Sequence, residues 1–119
     1  MPERETCDLL CLDLEKAEAL RQALPAPGSL EAAAAPFKAL TDPTRVAVLL
    51  SLADGGSCCV CDLSWIVGRD EKLVSHHVRQ LKHLGVARSR RDGRMVMYEL
   101  TDLGIALVAA YRELGRVAA

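Results

Sequence analysis

The sequence lacks any long apolar segment. Half of its 119 residues are apolar, yet no uninterrupted run approaches the roughly 20 residues that a membrane-spanning helix requires. Residues 1–5 also lack the basic stretch followed by an apolar stretch that marks a secretory signal. We therefore expect a single compact domain that is soluble and cytoplasmic and has no membrane partner.

The chain also lacks an excess of charge of either sign. Its formal net charge is −1 at pH 7, which by itself argues against a nucleic-acid partner. The charges are unevenly distributed, however: residues 1–35 carry three basic and seven acidic residues, whereas residues 69–94 carry eight basic and three acidic ones. A local basic segment is expected where a protein contacts phosphates, although many such segments are only solvated surfaces.

An enzyme is not indicated, because nothing in the chain resembles a nucleophile, base and oxyanion set or an open catalytic metal site. The five cysteines are an odd number, and a reducing cytoplasm does not favour a disulfide framework. We therefore expect a protein that is not an enzyme and whose cysteines serve metal or redox chemistry.

Apolar residues at helical spacing, together with capping residues, predict six helices. They lie over 13–24, from a Ser29 cap to Leu40, from Asp42-Pro43 to near Gly55, between Ser57 and Gly68, over 71–84 and from Thr101 to about Val117. The third helix is expected to bury Val46, Leu49, Leu50 and Leu52. The fifth is expected to bury Leu73, Val74, Val78, Leu81 and Leu84.

The fourth and fifth predicted helices are joined by a tight turn and so form a helix-turn-helix. Asp92-Gly93 lies between two extended stretches, 86–91 and 94–100, which is a strong hairpin signal. A basic hairpin in this place is a wing. The predicted fold class is therefore mainly α with a β-hairpin wing, a winged helix-turn-helix. The apolar last helix, paired with the first, is expected to form a homodimer.

The spacing of four cysteines is typical of metal ligands. Cys7 and Cys11 lie four residues apart, which places both on one face of a helical turn. Cys59 and Cys61 flank a single residue, and in an extended or helix-entry backbone this spacing points both side chains the same way. Four thiolates favour zinc, cadmium or lead over hard cations. We therefore predict one metal site that joins all four.

Two further expectations concern these thiols. Cysteines near the start of a helix ionise more readily, because the helix dipole favours the anion. Cys58 is either a small core residue or an additional thiol near the site. The alternative for every cysteine is burial as a small apolar side chain.

Three segments carry a resemblance to a known family. They are Leu-Thr-Asp-Pro-Thr-Arg at 40–45, Ser-His-His-Val-Arg-Gln-Leu at 75–81 and Arg-Asp-Gly-Arg-Met-Val-Met-Tyr at 91–98. With the order of helices, they resemble the ArsR/SmtB family of metal-responsive winged-helix repressors over nearly the whole chain. The motifs Thr-Cys-Asp-Leu-Leu-Cys at 6–11 and Cys-Val-Cys-Asp-Leu at 59–63 are most similar to the cadmium- and lead-responsive CadC type.

The resemblance implies a transcriptional repressor. The apo homodimer would bind double-stranded operator DNA and dissociate on binding Cd²⁺, Pb²⁺ or Zn²⁺, which would derepress metal efflux or resistance genes. Residues 1–12 would form a metal-ligand tail, and residues 13–119 the winged helix-turn-helix domain for DNA binding and dimerisation. A second family site on the last helix is not expected: Asp102 matches its first carboxylate, but no histidine follows His83.

The resemblance also implies which residues contact DNA. The recognition helix corresponds to residues 73–84, and the wing follows it. Side chains of the helix would face the major groove, where Arg and Gln can contact guanine and adenine, and arginines of the wing would meet phosphates or the minor groove. The predicted DNA-contacting residues are Ser75, His76, Arg79, Gln80, Lys82, Arg88, Arg90, Arg91 and Arg94. His77 is expected either to be solvated or to turn inward.

Two other functions stay open from the sequence. One is an arsenite- or antimonite-responsive repressor that binds As(III) through three thiols among Cys58, Cys59, Cys61 and the N-terminal pair. The other is a cytosolic thiol metal buffer or redox switch without a role on DNA, which the arginine-rich hairpin argues against.

Overall fold

The structure is a computed structural model that describes residues 11–118. The chain divides into two compact units, Met1–Glu31 and Ala32–Ala119. Its elements are α1 (Leu14–Ala23), α2 (Pro27–Ala34), a 3-10 helix (Ala35–Leu40), α3 (Pro43–Gly55), β1 (Ser57–Cys58), α4 (Val60–Val67), α5 (Glu71–His83), β2 (Ala87–Asp92), β3 (Met95–Leu100) and α6 (Asp102–Ala118). Within residues 11–118, none of the helices has the length and apolarity to cross a membrane.

The first unit contains the first predicted helix. Asp13 caps α1, with its carboxylate accepting a hydrogen bond from the backbone N–H of Lys16 at 3.1 Å. None of the residues of α1 is buried within the chain. The helix therefore forms where the sequence predicts it and leaves its apolar side chains exposed.

The prediction of the second helix is wrong in two respects. It begins at Pro27, so Ser29 lies inside α2 and does not cap it, and it changes to a 3-10 helix at Ala35. Pro36 explains the change, because proline has no N–H for an α-helical bond and its ring clashes with the carbonyl four residues earlier. Phe37, which lies in the 3-10 helix, is 56% exposed.

The third predicted helix is confirmed, with a different buried face. Asp42 caps α3 by accepting a hydrogen bond from the backbone N–H of Arg45 at 3.0 Å. The buried residues are Val48, Leu49 and Leu52, whereas the expected core residues Val46 and Leu50 are only half-buried. The 3-10 helix, α4, α5, α6 and the sheet all contact α3, so its buried arc is set by several neighbours and not by one apolar stripe.

The helix-turn-helix consists of α4 and α5. Gly68 ends α4 in the left-handed region, with φ of 70°, and Asp70 caps α5 by accepting from the N–H of Leu73 at 2.8 Å. The buried residues of α5 are Val74, His77, Val78 and Leu81. Leu73 and Leu84, which were expected in the core, are half-buried, because they lie at the edges of the buried arc.

The wing is a hairpin within a three-stranded antiparallel sheet of order β1-β3-β2. Asp92 pairs with Met95, so the two-residue turn is Gly93-Arg94. Gly93 has φ of 66°, and glycine at the first central position is what a type II′ turn requires. The hairpin is confirmed, with its turn one residue later than the expected Asp92-Gly93, because Asp92 belongs to β2. The third strand, β1, was not predicted, because its two residues are too few to show an alternation of apolar and polar side chains.

Gly104 fixes the packing of α6. Thr101 caps this helix by accepting from the N–H of Gly104 at 3.2 Å, and its hydroxyl donates to the carbonyl of Gly85 at 2.6 Å. A Cβ at Gly104 would lie 2.1 Å from the carbonyl oxygen of Val86. Because this neighbour is backbone, only glycine allows α6 to approach the strand entry so closely.

Gly104→Ala is expected to destabilise the fold by about 1–3 kcal/mol, because the added methyl group forces α6 away from Val86. Gly115→Ala is the matched control: it lies on the same helix with nothing within 4 Å of the new Cβ, and its helix propensity improves. Thermal unfolding followed by circular dichroism measures both. Equal melting temperatures for the two variants would contradict this close packing.

Candidate nucleic-acid interface and thiolate cluster

The outer face of α5 presents polar side chains. His76, Arg79 and Lys82 are exposed, and Ser75 and Gln80 are half-buried. The structure therefore brings all five predicted DNA-contacting residues of α5 onto the side of the helix that faces away from its buried apolar residues.

One flank of α5 is hydrogen-bonded to the wing. The ammonium group of Lys82 donates to the hydroxyl of Ser89 at 2.8 Å, and Ser89 belongs to β2. This bond uses one of the three donors of the lysine. It leaves the charge available for a phosphate and fixes the wing relative to the helix.

The opposite flank is tied to α3. The guanidinium of Arg45 donates to the side-chain oxygen of Gln80 at 3.0 Å, to the carbonyl of Lys38 at 2.6 Å and to the hydroxyl of Thr41 at 3.0 Å. A bidentate contact of glutamine with adenine needs both its amide N–H and its oxygen. Arg45 uses one of the two acceptor lone pairs of the Gln80 oxygen, so it orients the amide and leaves the other lone pair for the contact expected from the sequence.

The arginines of the wing fall into two groups. Arg88 and Arg90 lie 3.5 and 3.6 Å from the carboxylate of Glu99, which the strand register places opposite Arg88. Within the described part of the chain, Arg91 and Arg94 have no ion-pair partner. Exposed pairs such as those of Glu99 stabilise by only about 0–1 kcal/mol, so Arg91 and Arg94 are the stronger candidates for phosphate contacts without excluding the other two.

His77 turns inward, one of the two expectations from the sequence. Its side chain is 6% exposed, its Nε2 lies 3.9 Å from the Asp42 carboxylate, and its Nδ1 is buried without a hydrogen-bond partner in residues 11–118. The hydrogen bond from the N–H of Arg45 is the main cause that holds the pKa of Asp42 below its usual value. His77 thus packs α5 against α3 and does not face outward.

The three clustered cysteines have different surroundings. Cys58 is part of the hydrophobic core, a Cβ at Gly55 would lie 3.1 Å from its sulfur, and burial raises the pKa of its thiol. This supports a core role for Cys58. Cys59 occupies the N-cap of α4 and is 9% exposed, whereas Cys61, within the first turn, is exposed.

Cys61 contacts the recognition helix. Its thiol donates to the carboxylate of Glu71, the first residue of α5, over 3.5 Å. This hydrogen bond is the largest cause that raises the pKa of Cys61, and the negative charge of Glu71 is the second. The expectation that the helix start makes the thiol more acidic is wrong for Cys61, because its contact with the Glu71 carboxylate raises the pKa.

The described residues do not test the predicted four-thiolate metal site as a whole. Cys11 is exposed in the first unit, and Cys7 lies outside the described residues. Within residues 11–118, no group of three or more His, Cys, Asp or Glu side chains is arranged to hold a metal ion. The four-thiolate site therefore stays a prediction.

Sequence reasoning missed three residues of this region. The sequence assigned Glu71 only to the start of a helix and Arg45 only to a family motif. It assigned no role to Lys38. Arg45 follows the Asp-Pro-Thr capping segment, so the available signal was a basic residue in the first turn of a helix. Nothing in the sequence pairs Glu71 with Cys61, ten residues away.

Comparison with known proteins agrees with this geometry. The family model described as "Bacterial regulatory protein, arsR family" matches residues 42–89. The chain is 34% identical over 99 residues to the cadmium resistance transcriptional regulatory protein CadC homolog of Staphylococcus aureus, covering 83% of this chain and 81% of that protein. It is 38% identical over 103 residues to the transcriptional repressor SmtB homolog of Synechocystis, covering 84% and 75%.

Solved structures share the fold. The homodimeric winged helix-turn-helix DNA-binding domain of a possible ArsR-family regulator from Mycobacterium bovis superimposes with a TM-score of 0.68 at 24% identity, covering 75% of this chain and 82% of that one. NolR from Sinorhizobium fredii gives 0.65 at 25% identity, covering 89% and 96%. The winged helix-turn-helix predicted from the sequence is confirmed.

Glu71→Gln is expected to lower the pKa of Cys61, because the substitution removes the negative charge that opposes ionisation of the thiol. A lower pKa means more thiolate at neutral pH, so alkylation of Cys61 should reach half its maximal rate at a lower pH. Peptide mapping by mass spectrometry after timed alkylation measures this rate for each cysteine.

Glu31→Gln serves as the control, since Glu31 is also exposed and lies outside this contact. An unchanged pH profile for Cys61 in Glu71→Gln would contradict the hydrogen bond between the two side chains.

Proposed function

The chain belongs to the ArsR family of bacterial regulatory proteins, and from this we propose that it is a metal-responsive transcriptional repressor. As an apo homodimer it binds double-stranded operator DNA, and it releases the DNA when a thiophilic metal ion binds. The observation that carries the proposal is the polar face of α5, which has an exposed arginine and is fixed to the wing on one flank and to α3 on the other.

DNA binding by this face follows from its shape and charge. An α-helix fits the major groove, which is about 12 Å wide. Arg79 is exposed and has no hydrogen-bond or ion-pair partner in residues 11–118, so its guanidinium is available for bidentate contact with guanine. The wing arginines supply contacts to phosphates, which raise affinity for any sequence and make binding depend steeply on salt.

Dimerisation is proposed from the exposed apolar side chains of α6. Five of them are between 39% and 69% exposed: Leu103, Ile105, Tyr111, Leu114 and Val117. A second copy of the chain would cover this surface, and two-fold symmetry would present two recognition helices to two half-sites of one operator. The relative from Mycobacterium bovis is described as homodimeric, which supports the same arrangement here.

Metal binding is proposed for Cys7, Cys11, Cys59 and Cys61. The donor set fits a soft ion: thiolates bind Cd²⁺, Pb²⁺ and Zn²⁺ in preference to hard cations, and the thiol of Cys61 is accessible. The CadC-type relatives are named for cadmium resistance, which supports cadmium among the inducers. Another relative is named as an arsenical resistance operon repressor, so the response to As(III) has to be compared with the response to cadmium.

The contact between Cys61 and Glu71 connects the proposed metal site with α5. The thiol of Cys61 donates a hydrogen bond to Glu71, and a thiol that coordinates a metal ion has lost the proton that this bond needs. Ligation by Cys61 therefore removes a hydrogen bond from the first turn of the recognition helix. Coupling between two ligands is reciprocal, so DNA must weaken metal affinity by the same factor that metal weakens DNA affinity, typically about 5–150-fold.

Arg79→Ala is expected to reduce affinity for a duplex selected from random sequences by about 5–150-fold, the equivalent of about 1–3 kcal/mol for one bidentate base contact. Fluorescence anisotropy with labelled duplex measures the change. Arg21→Ala is the control, since Arg21 is an exposed arginine on α1 that pairs with Glu18. Wild-type affinity in Arg79→Ala would contradict the proposed role of α5 and favour a thiol buffer or redox switch.

Cadmium added to the reduced protein is expected to produce sulfur-to-metal charge-transfer absorption and to release bound duplex. Cys61→Ser should weaken both effects, because serine is a poor ligand for soft ions. Cys58→Ala is the control, since it removes a thiol that lies in the core.

Parallel titrations with Pb²⁺, Zn²⁺ and arsenite rank the inducers. DNA that stays bound at saturating cadmium would contradict the direction of the switch. Equal release from Cys61→Ser and from the wild type would contradict the proposed ligand.

A further inference from the structure

The second unit has an open cleft beside α5. Its volume is about 670 Å³, and its lining includes Lys38, Thr41, Arg45, Arg79, Gln80 and His83. Three of these residues are permanent cations, and none of the residues that line the cleft is acidic. In this chain of net charge −1, the cleft is a local concentration of positive charge that attracts anions.

Arg45 forms a fixed positive charge in this cleft. Its two terminal nitrogens are held by three neutral acceptors, the carbonyl of Lys38, the hydroxyl of Thr41 and the amide oxygen of Gln80. Within residues 11–118 no carboxylate lies within ion-pair distance of its guanidinium, and its Nε is buried without a hydrogen-bond partner. Among these residues the charge is therefore ordered, partly desolvated and without an ion-pair partner, and the Asp42 carboxylate acts on it only from beyond ion-pair distance. Partial desolvation strengthens its attraction for an anion.

The cleft and the wing lie on opposite flanks of the recognition helix. At 3.6 residues per turn, Gln80 and Lys82 are separated by about 160° around α5, with Arg79 between them. Gln80 is bonded to Arg45 at the cleft, and Lys82 is bonded to Ser89 of the wing. A helix in the major groove has a phosphate backbone on each side, so the two flanks face two different strands.

We infer that the cleft binds a backbone phosphate of DNA on the strand opposite to that met by the wing. The exposed ammonium of Lys38 contacts the phosphate, and Arg45 supplies the fixed charge behind it. This inference rests on the proposed DNA binding and extends it, because it adds the 3-10 helix and the start of α3 to the interface. The recognition helix is then held in the groove from both sides.

Lys38→Gln tests the inference without disturbing the fold. The side chain of Lys38 is exposed, and the hydrogen bond to Arg45 comes from its backbone carbonyl, which the substitution keeps. Each neutralised phosphate contributes about −0.9 to the slope of log Kobs against log salt. Lys38→Gln should therefore make the slope shallower by about one, and it should weaken selected and random duplexes by the same factor, about five- to tenfold at low salt.

Lys16→Gln is the matched control, since Lys16 is an exposed lysine of the first unit. The slope of log Kobs against log salt for this variant should equal that of the wild type. Arg91→Gln provides the comparison on the wing and should also lose about one unit of slope. An unchanged slope in Lys38→Gln beside a reduced slope in Arg91→Gln would overturn the cleft as a phosphate site and leave DNA binding intact.

Calorimetric titration with inorganic phosphate separates a free anion from DNA. Phosphate binding that is lost in Lys38→Gln, combined with an unchanged salt slope for DNA, would assign the cleft to a small anion and contradict the inference. Failure of the wild type to bind any duplex would overturn the proposed function itself.

Discussion

The burial of one face of α5 is the constraint on which the rest of the structure depends. Val74, Val78 and Leu81 are fully buried, and burial of each such side chain contributes about 1.5–3 kcal/mol. With this face fixed against α3 and the sheet, the helical period leaves His76 and Arg79 no position except the outer face. The presentation of the polar side chains is thus a consequence of core packing.

Polar contacts then refine what the core establishes. Lys82 bonds to the wing and Gln80 bonds to Arg45, so both flanks of α5 are fixed by side chains that are themselves candidates for DNA contact. At the N-terminus of the same helix, Glu71 bonds to Cys61. A proposed metal ligand therefore lies one hydrogen bond from the recognition helix, which gives a short path for coupling the two proposed sites.

The sequence predicted the regular parts of the fold because they obey local rules. Asp42 followed by Pro43 is a local signal for a helix start, and Gly93 allows a tight turn at the tip of the hairpin. It misplaced α2, where Pro36 changes the helix type, and it misassigned Val46 and Leu50 because the buried arc of α3 depends on several neighbours. The same limitation explains why the thiol of Cys61 was expected to be acidic: its carboxylate partner comes from another helix.

The sequence by itself determined the fold class, the order of the elements, the basic recognition helix and wing, and the family resemblance. Each of these depends on the pattern of residues that are close along the chain. Only the tertiary structure decided that Cys58 lies in the core, that His77 turns inward and that Arg45 meets Gln80 across 35 residues. Such pairings depend on how helices pack in three dimensions, and that packing leaves no periodic signal in the sequence.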